Sequence, residues 1–490
     1  MTTFSHQLQH YYQEDPHRVS IHLLESDQPD QSLTYQQLME GAAAYAETYA
    51  REGVAPGEVV VLIFQYGADL VYAFWGAVLY GAIPSILPFL TEKLSPERYL
   101  ADLTSLIGVT RPSTLVTYPA FEDVVQQAVG EDSPVENIII SDQIEPASRP
   151  DFDRLHGLDR EEEDIALLQH SSGTTGLQKG VALSHRAVFN QLEALSAAIE
   201  LDVEVDVIVS WLPLYHDMGL IACFVLPVLY GVPLVLMSPF DWVRAPQRMM
   251  EAVSEHQGTL TWLPNFAYNF LSRKVRDRYL EGVDLSSWRA VINCSEPVRR
   301  ESHQKFYQRF REYGLKEEVL QTSYAMAENT FGVTQSELGT LPTVEEVDQA
   351  LFLRERVARS SRDGKATMQV MSSGKPLANT EIKVVDEKGN GVGDGVVGEI
   401  AIRSDCMLTG YYHRPDITRQ SFQDGWFLTG DYGYLSRGEI FVTGRKKDLI
   451  IVGGKNVYPR DLEELIYELP GVHPGRAAVF GVFNERLGTE

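Results

Sequence analysis

Residues 167–185, LLQHSSGTTGLQKGVALSH, hold the densest set of groups in the chain that could meet a phosphate. An apolar run over 165–168 leads into a loop of small hydroxyl and glycine residues, Ser171, Ser172, Gly173, Thr174, Thr175 and Gly176, and Lys179 follows. Small residues let backbone N–H groups approach an oxyanion, the hydroxyls add donors, and the ammonium supplies a full charge. Gly180 follows the lysine where a Walker A loop needs Ser or Thr, so this is a phosphate cradle of another kind. His216-Asp217 is a second candidate, a base beside a carboxylate. Nucleophilic catalysis would also need a serine or cysteine in reach, which adjacency in sequence does not supply. His6 and His10 lack a third ligand partner, no HExxH occurs, and Lys274, Arg276 and Arg278 read as a solvated helix face.

Groups of this kind must be carried by a rigid frame. Over the first 330 residues short apolar runs alternate with amphipathic stretches: VVVLIF then ADLVYAFWGAVLY, STLVTYP then AFEDVVQQAV, TLTWLP then AYNFLSRKV, RAVINCS then RRESHQKFYQRF. The rhythm predicts an α/β region with largely parallel sheets, including a strand over 59–64 and a helix over 68–80. Past Gly374 the pattern changes. NTEIKVVDEKGNGVGDGVVGEIAIR reads as two strands around a glycine-rich turn, and YGYLSRGEIFVTG as a hairpin over Arg437-Gly438. The stretch after Arg445 predicts a strand, a glycine turn and a helix over 461–468. The expected division is a large α/β domain over 1–443, made of two α/β subdomains with a small β unit from about 374. A hinge at 444–448 and part of a small α+β domain over 449–490 follow.

Composition bounds the function. The 490 residues are 44% hydrophobic and 22% charged, which fits a globular protein and excludes a disordered chain or a small disulfide scaffold. Lys plus Arg number 42 against 68 Asp plus Glu, a formal charge of −26. Most of such a surface repels nucleic acid and anionic membrane, so any phosphate needs a local, organised site. Cys223, Cys294 and Cys406 form no CxxC pair, which suits a reduced, cytoplasmic compartment. The start, MTTFSHQLQHYYQED, is not a signal peptide, and the apolar stretch 59–88 is broken by Gln65, Gly67, Asp69, Gly76 and Gly81, unlike a membrane span.

SSGTTGLQKG resembles the signature loop of the adenylate-forming superfamily of acyl-CoA synthetases, nonribosomal-peptide adenylation domains and luciferases. Further motifs follow in that superfamily's order: WLPLYHDMGL (211–220), NCSEP (293–297), SYAMAENT (323–330), GWFLTGDYG (425–433) and FVTGRKKDLII (441–451). The resemblance spans nearly the whole chain and implies ATP and Mg2+ as cofactors. It implies that Lys179 and the loop Ser171–Gly176 meet the phosphates, that Ser295, Glu296, Thr322 and Tyr324 lie by the adenine, and that Asp431 accepts the ribose hydroxyls. Arg445 would meet ribose or phosphate oxygens. Glu328, in an apolar-aromatic segment where an unpaired carboxylate is costly, would bridge magnesium to the phosphates. Trp211, His216, Asp217, Met218 and Phe266 would line the acyl pocket, and Lys179, Glu328 and His216 are the catalytic candidates.

Within the superfamily, PLYHDMGLI, SPFDWVRAPQRMMEAVSEH, TWLPNFAYNF and LSSWRAVINCSEPVR look most like fatty acyl-AMP ligases. The connection from Glu328 to Gly374-Lys375-Pro376 is longer than the superfamily needs. Its extra segment, TLPTVEEVDQALFLRERVARSSRDG, is polar and helix-prone and resembles the insertion that marks that branch. The implied reaction is attack of a fatty carboxylate on the α-phosphate of ATP, release of pyrophosphate, and transfer of the acyl group to the phosphopantetheine thiol of an acyl carrier protein or a polyketide or nonribosomal-peptide synthase carrier domain. A fatty acyl-CoA synthetase is the alternative, and a non-catalytic nucleotide-binding scaffold is the reading from another class. Departures are Gln178 in place of a usual proline, His170 in place of a common tyrosine, and Cys294 in place of a usual glycine. The family's C-terminal domain, with its late lysine, is longer than the stretch that follows Asp448 here, so that lysine is expected outside this sequence.

Overall fold

The computed structural model describes residues 3–448 apart from 27–28, 91–94, 131, 148, 172–178 and 362–365, together with 450–452, 455–457 and scattered residues up to 481. The α/β expectation holds. One sheet has seven strands, in the order Gly410–Tyr411, Lys179–Ser184, Ile165–Ser171, Ile83–Ile86, Val59–Ile63, Thr114–Thr117, Asn137–Ile140. It is parallel from Ile165–Ser171 onward, and Lys179–Ser184 turns back antiparallel. A second sheet has nine strands, in the order Lys375–Pro376, Gly332–Gln335, Leu320–Ala325, Ala290–Asn293, Leu260–Leu263, Ile208–Ser210, Leu234–Met237, Val19–Leu24, Gln31–Thr34. Its pairings from Leu320–Ala325 to Val19–Leu24 are all parallel. Continuous apolar strands such as VVVLI are buried throughout, because helices cover both faces.

The two sheets share one core. Helix Ala68–Tyr80 packs on helix Tyr35–Arg51, and Gly76 permits the approach: a Cβ there would lie 2.6 Å from Ala42 O and from Tyr45 Cβ. Phe74 and Trp75, both fully buried, reach Phe224, with Phe74 and Phe224 at 5.3 Å between ring centres. Each such side chain contributes about 1.5–3 kcal/mol by leaving water.

The β unit is an antiparallel five-stranded sheet built on Thr380–Val385, Gly398–Ser404, Trp426–Ser436 and Glu439–Arg445. The hairpin turns at Arg437 (φ +52°) and Gly438 (φ +81°), the left-handed pair that two-residue hairpins favour. The inserted segment differs from its helix-prone reading. Strands Val344–Asp348 and Thr367–Met371 pair antiparallel, with helix Gln349–Glu355 the one helix among the described residues between them. Val347 and Phe352 bury themselves against Tyr432, Tyr434 and Phe441, so packing on the β unit overrides local propensity. The hinge expected at 444–448 begins inside strand Glu439–Arg445 and continues as a 3-10 turn, Lys446–Asp448. Strands Ile450–Val452 and Lys455–Val457 pair beyond it, and the helix expected over 461–468 lies largely outside the described residues.

Candidate active site

Strands Ile165–Ser171 and Lys179–Ser184 are antiparallel neighbours with Ser171 opposite Lys179, so the signature loop joins their ends. The loop residues Ser172, Gly173, Thr174, Thr175 and Gly176, and the side chain of Ser171, lie outside the described residues. Lys179 is half-buried, its Nζ 4.7 Å from the centre of the Tyr411 ring. The Tyr411 hydroxyl donates to Glu328 Oε1 at 2.8 Å. Glu328 sits in the turn Ala327–Asn329, whose next residue, Thr330, has φ +63°. A β-branched residue in the left-handed region costs on the order of 1–3 kcal/mol and persists only where neighbours hold it. Gln169 Nε2 donates to Thr330 O at 2.8 Å, and Thr330 Oγ1 to Cys406 O at 2.7 Å. Behind the loop, His170 is buried with its Nε2 2.7 Å from Ser85 Oγ. Burial pushes this imidazole down to about 4, so it is neutral at pH 7.

Asp431 and Arg445 are cross-strand partners with Oδ1 and Nε 3.7 Å apart. Tyr324 donates its hydroxyl to Asp431 Oδ2 at 2.7 Å. Burial raises the Asp431 carboxyl, and the Tyr324 hydrogen bond and the Arg445 charge oppose that rise. Thr322 is fully buried and donates to Ser372 O at 2.8 Å, which ties its hydroxyl into the framework. Asp217 receives the Met218 N–H at 2.8 Å, yet burial, joined by the charge of Glu328, pushes its carboxyl up to about 6. Glu328, Asp217 and Asp431 therefore share one electrostatic environment, with Arg445 lowering both aspartates.

The NCSEP turn follows strand Ala290–Asn293. Cys294 is buried, and the left-handed conformation falls one residue later, on Ser295 (φ +69°), so the missing glycine costs nothing at Cys294. Ser295 Oγ lies 3.7 Å from Met218 Sδ, which joins this turn to the start of the π-helix Met218–Val225. Gly219 is required there, since a Cβ would lie 2.3 Å from Pro213 O. Glu296 accepts the backbone N–H of Phe266 at 2.9 Å, placing its carboxylate at the start of helix Asn265–Lys274, where charge is favourable.

Trp211 stacks on Trp242 with ring centres 3.6 Å apart and planes 2° apart, and Phe266 meets both edge-on at 6.2 and 6.3 Å. Phe266 is 46% exposed, so it stands at the rim of this aromatic cluster. His216 also faces solvent, while the protein around it lowers its pKa from the usual imidazole value. Among the described residues no serine or cysteine hydrogen-bonds its ring, whose neighbour is the Tyr215 ring at 4.8 Å between centres. Sequence reasoning missed Tyr411 and Trp242. Trp242 lies within SPFDWVRAPQRMMEAVSEH and Tyr411 in no stretch singled out above, and only their distant partners mark them.

Among the described residues no three His, Cys, Asp or Glu side chains converge as a metal cage. Magnesium does not need one, since it binds through one or two carboxylates with phosphate oxygens and water. Glu328, with Tyr411 as its side-chain donor at Oε1, fits that chemistry.

Lys179 at the start of its strand, the cross-strand Asp431–Arg445 pair and the Trp211–Trp242–Phe266 cluster are the groups to set beside known proteins. The family described as AMP-binding enzyme matches residues 8–412. The chain belongs to this family. Long-chain-fatty-acid–AMP ligase FadD26 of Mycobacterium tuberculosis is 31% identical over 480 residues, covering 92% of this chain and 78% of the relative. The 4-hydroxyphenylalkanoate adenylyltransferase of Mycobacterium marinum is 30% identical, covering 97% of this chain and 78% of its own. A solved structure from work on fatty acyl-adenylate ligases of E. coli and L. pneumophila superposes with a TM-score of 0.88 at 28% identity, covering 97% of this chain and 85% of that one. The L. pneumophila ligase in complex with acyl adenylate and pyrophosphate gives 0.82 at 30% identity, covering 96% and 81%. As an AMP-binding enzyme, the protein is an adenylate-forming ligase that uses ATP. Among its described residues no helix is long and apolar enough to cross a membrane.

Proposed function

We infer that this AMP-binding enzyme activates a fatty acid as its acyl-adenylate and passes the acyl group to a carrier-protein thiol. The observation that carries the reading is a run of neighbouring groups: Trp211 stacks on Trp242, Met218 touches Ser295, and Asp217, next to Met218, responds to the charges of both Glu328 and Arg445. The likeness to FadD26 and to the L. pneumophila ligase supports the fatty acid as substrate.

The chain's tasks are positioning and charge neutralisation. The fatty tail lies against Trp211, Met218 and Phe266 and brings its carboxylate past His216, whose neutral ring adds no competing charge. Asp431 accepts the ribose hydroxyls, with Tyr324 holding its second oxygen. Arg445 stands over the same ribose. Ser295 and Glu296 border the base, Thr322 supports the strand that carries Tyr324, and Lys179 with the Ser171–Gly176 loop takes the phosphates. Glu328 would hold magnesium, which would supply positive charge to the phosphates when bound. In-line attack by the carboxylate then breaks the bond from the α-phosphorus to the pyrophosphate leaving group.

We propose the same division as the sequence reading: a large unit over 1–443, a hinge at 444–448 and a small unit over 449–490. Lys446 in that hinge donates to Glu399 Oε2 at 2.7 Å, beside a cavity of about 360 Å³ that the inserted segment lines through Glu355 and Arg356. An insertion packed so near the hinge supports a carrier thiol over free coenzyme A as acceptor. Three free, buried cysteines suit a cytoplasmic setting.

The test is magnesium-dependent exchange of pyrophosphate into ATP across a panel of acids. Exchange is expected with medium or long fatty acids, and exchange only with amino or aryl acids overturns the substrate class. Fast acyl-CoA formation would favour the synthetase reading instead.

A further inference from the structure

We propose that Tyr411 is a positioning residue that holds Lys179 and Glu328 apart and in place, so that neither charge neutralises the other before ATP arrives. The inference rests on the reading that Lys179 serves phosphate and Glu328 serves magnesium. Tyr411 belongs to the two-residue strand Gly410–Tyr411, which closes one edge of the seven-stranded sheet opposite Ala182 and Val181. Lys179 is two residues from Val181 on the same strand face, the diagonal distance that an aromatic ring and a long side chain can bridge.

The contacts follow that geometry. The ring face meets the Lys179 ammonium at 4.7 Å, and the hydroxyl at the far end of the same rigid ring meets Glu328 Oε1 at 2.8 Å. No ion pair joins Lys179 to Glu328 among the described residues; one phenol spans the gap between them. The phenol is itself anchored. It is 6% exposed, its backbone N–H donates to Thr418 Oγ1 at 2.9 Å, and the next residue, Tyr412, donates to Gly180 O at 2.8 Å. The segment before it grips the glutamate turn from the other side: Leu408 N–H donates to Glu328 O at 2.8 Å, and Cys406 O accepts from Thr330 Oγ1. With Oε1 engaged, Oε2 is the oxygen left for a cation.

Two variants separate the two contacts. Tyr411→Phe keeps the ring under Lys179 and removes only the hydroxyl, while Tyr411→Leu removes both. Calorimetric ATP binding, with and without magnesium, is read beside the magnesium dependence of pyrophosphate exchange. For Tyr411→Phe, the magnesium giving half-maximal exchange should rise about 10-fold, the worth of one hydrogen bond to a charged group, with magnesium-free ATP affinity unchanged. Tyr411→Leu should weaken magnesium-free ATP binding as well, by about 3–5-fold, as the lysine loses its aromatic platform. In a Glu328→Gln background, Tyr411→Phe should add nothing further. A Tyr411→Phe enzyme that matches the parent at every magnesium concentration overturns the proposal, as does an equal shift in both backgrounds. A parent protein that binds no ATP overturns the functional reading instead, so the two failures are told apart.

Discussion

On the wall proposed to meet phosphate, Lys179, Tyr411 and Glu328 are fixed by directed contacts, and the strained Thr330 is pinned by two hydrogen bonds. On the wall proposed for the acyl chain, Trp211, Trp242 and Phe266 meet through ring faces and edges, and the indole N–H groups of both tryptophans have no hydrogen-bond partner among the described residues. Directed bonds define positions, which suits a reaction whose barrier depends on where charge stands. Ring packing defines a shape, which suits a ligand that offers only length and width. The two walls should therefore fail in different ways when altered.

The largest effect is expected on the acyl wall. Trp242→Ala removes a fully buried ring, so the fold should lose about 3–5 kcal/mol in chemical denaturation, with ATP affinity unchanged. A parallel fall in ATP affinity would show that the walls are coupled. On the phosphate wall, Lys179→Ala should slow adenylate formation on the order of 100-fold while fatty-acid binding, read by calorimetry, stays as it was. Loss of fatty-acid affinity in that variant would erase the distinction.

A smaller effect sharpens the boundary between the walls. The Asp217 carboxyl is pushed up to about 6 from an ordinary 3.8. The native state then binds a proton that the unfolded state releases, so the group's cost is absent below about pH 4, grows through pH 4–6 and is full above 6. Asp217→Asn should therefore stabilise the fold at pH 7–8 by about 2 kcal/mol, an advantage that fades toward pH 4. Melting curves across that range check it, and a pH-independent difference would contradict the shift.

Legibility in the sequence followed the range of the interactions. The βα rhythm named strand Val59–Ile63 and helix Ala68–Tyr80 because periodicity is local, and Arg437-Gly438 named its hairpin because turn chemistry is local. Asp431 and Arg445 came from separate motifs, and the same hairpin sets them opposite each other. Trp242 against Trp211 and Tyr411 against Glu328 were invisible, since nothing in the spacing of distant residues announces a contact. Glu296 shows how a motif can be found while the use of its side chain is not: the turn is present, and its carboxylate binds the Phe266 N–H. The inserted segment read as helix-prone because composition alone cannot register the tyrosines and phenylalanine of the β unit that draw it into strands.

The stacked pair of tryptophans has an optical consequence. Two indoles in face-to-face contact share their excitation, and their emission responds to the polarity at their edges. Trp211 and Trp242 are two of six tryptophans in the chain, and the partly exposed Phe266 marks the edge at which they open. The fatty tail proposed to lie there would alter the surroundings of that pair. Tryptophan emission would then serve as a gauge of acyl occupancy, read by stopped-flow mixing with an unlabelled lipid.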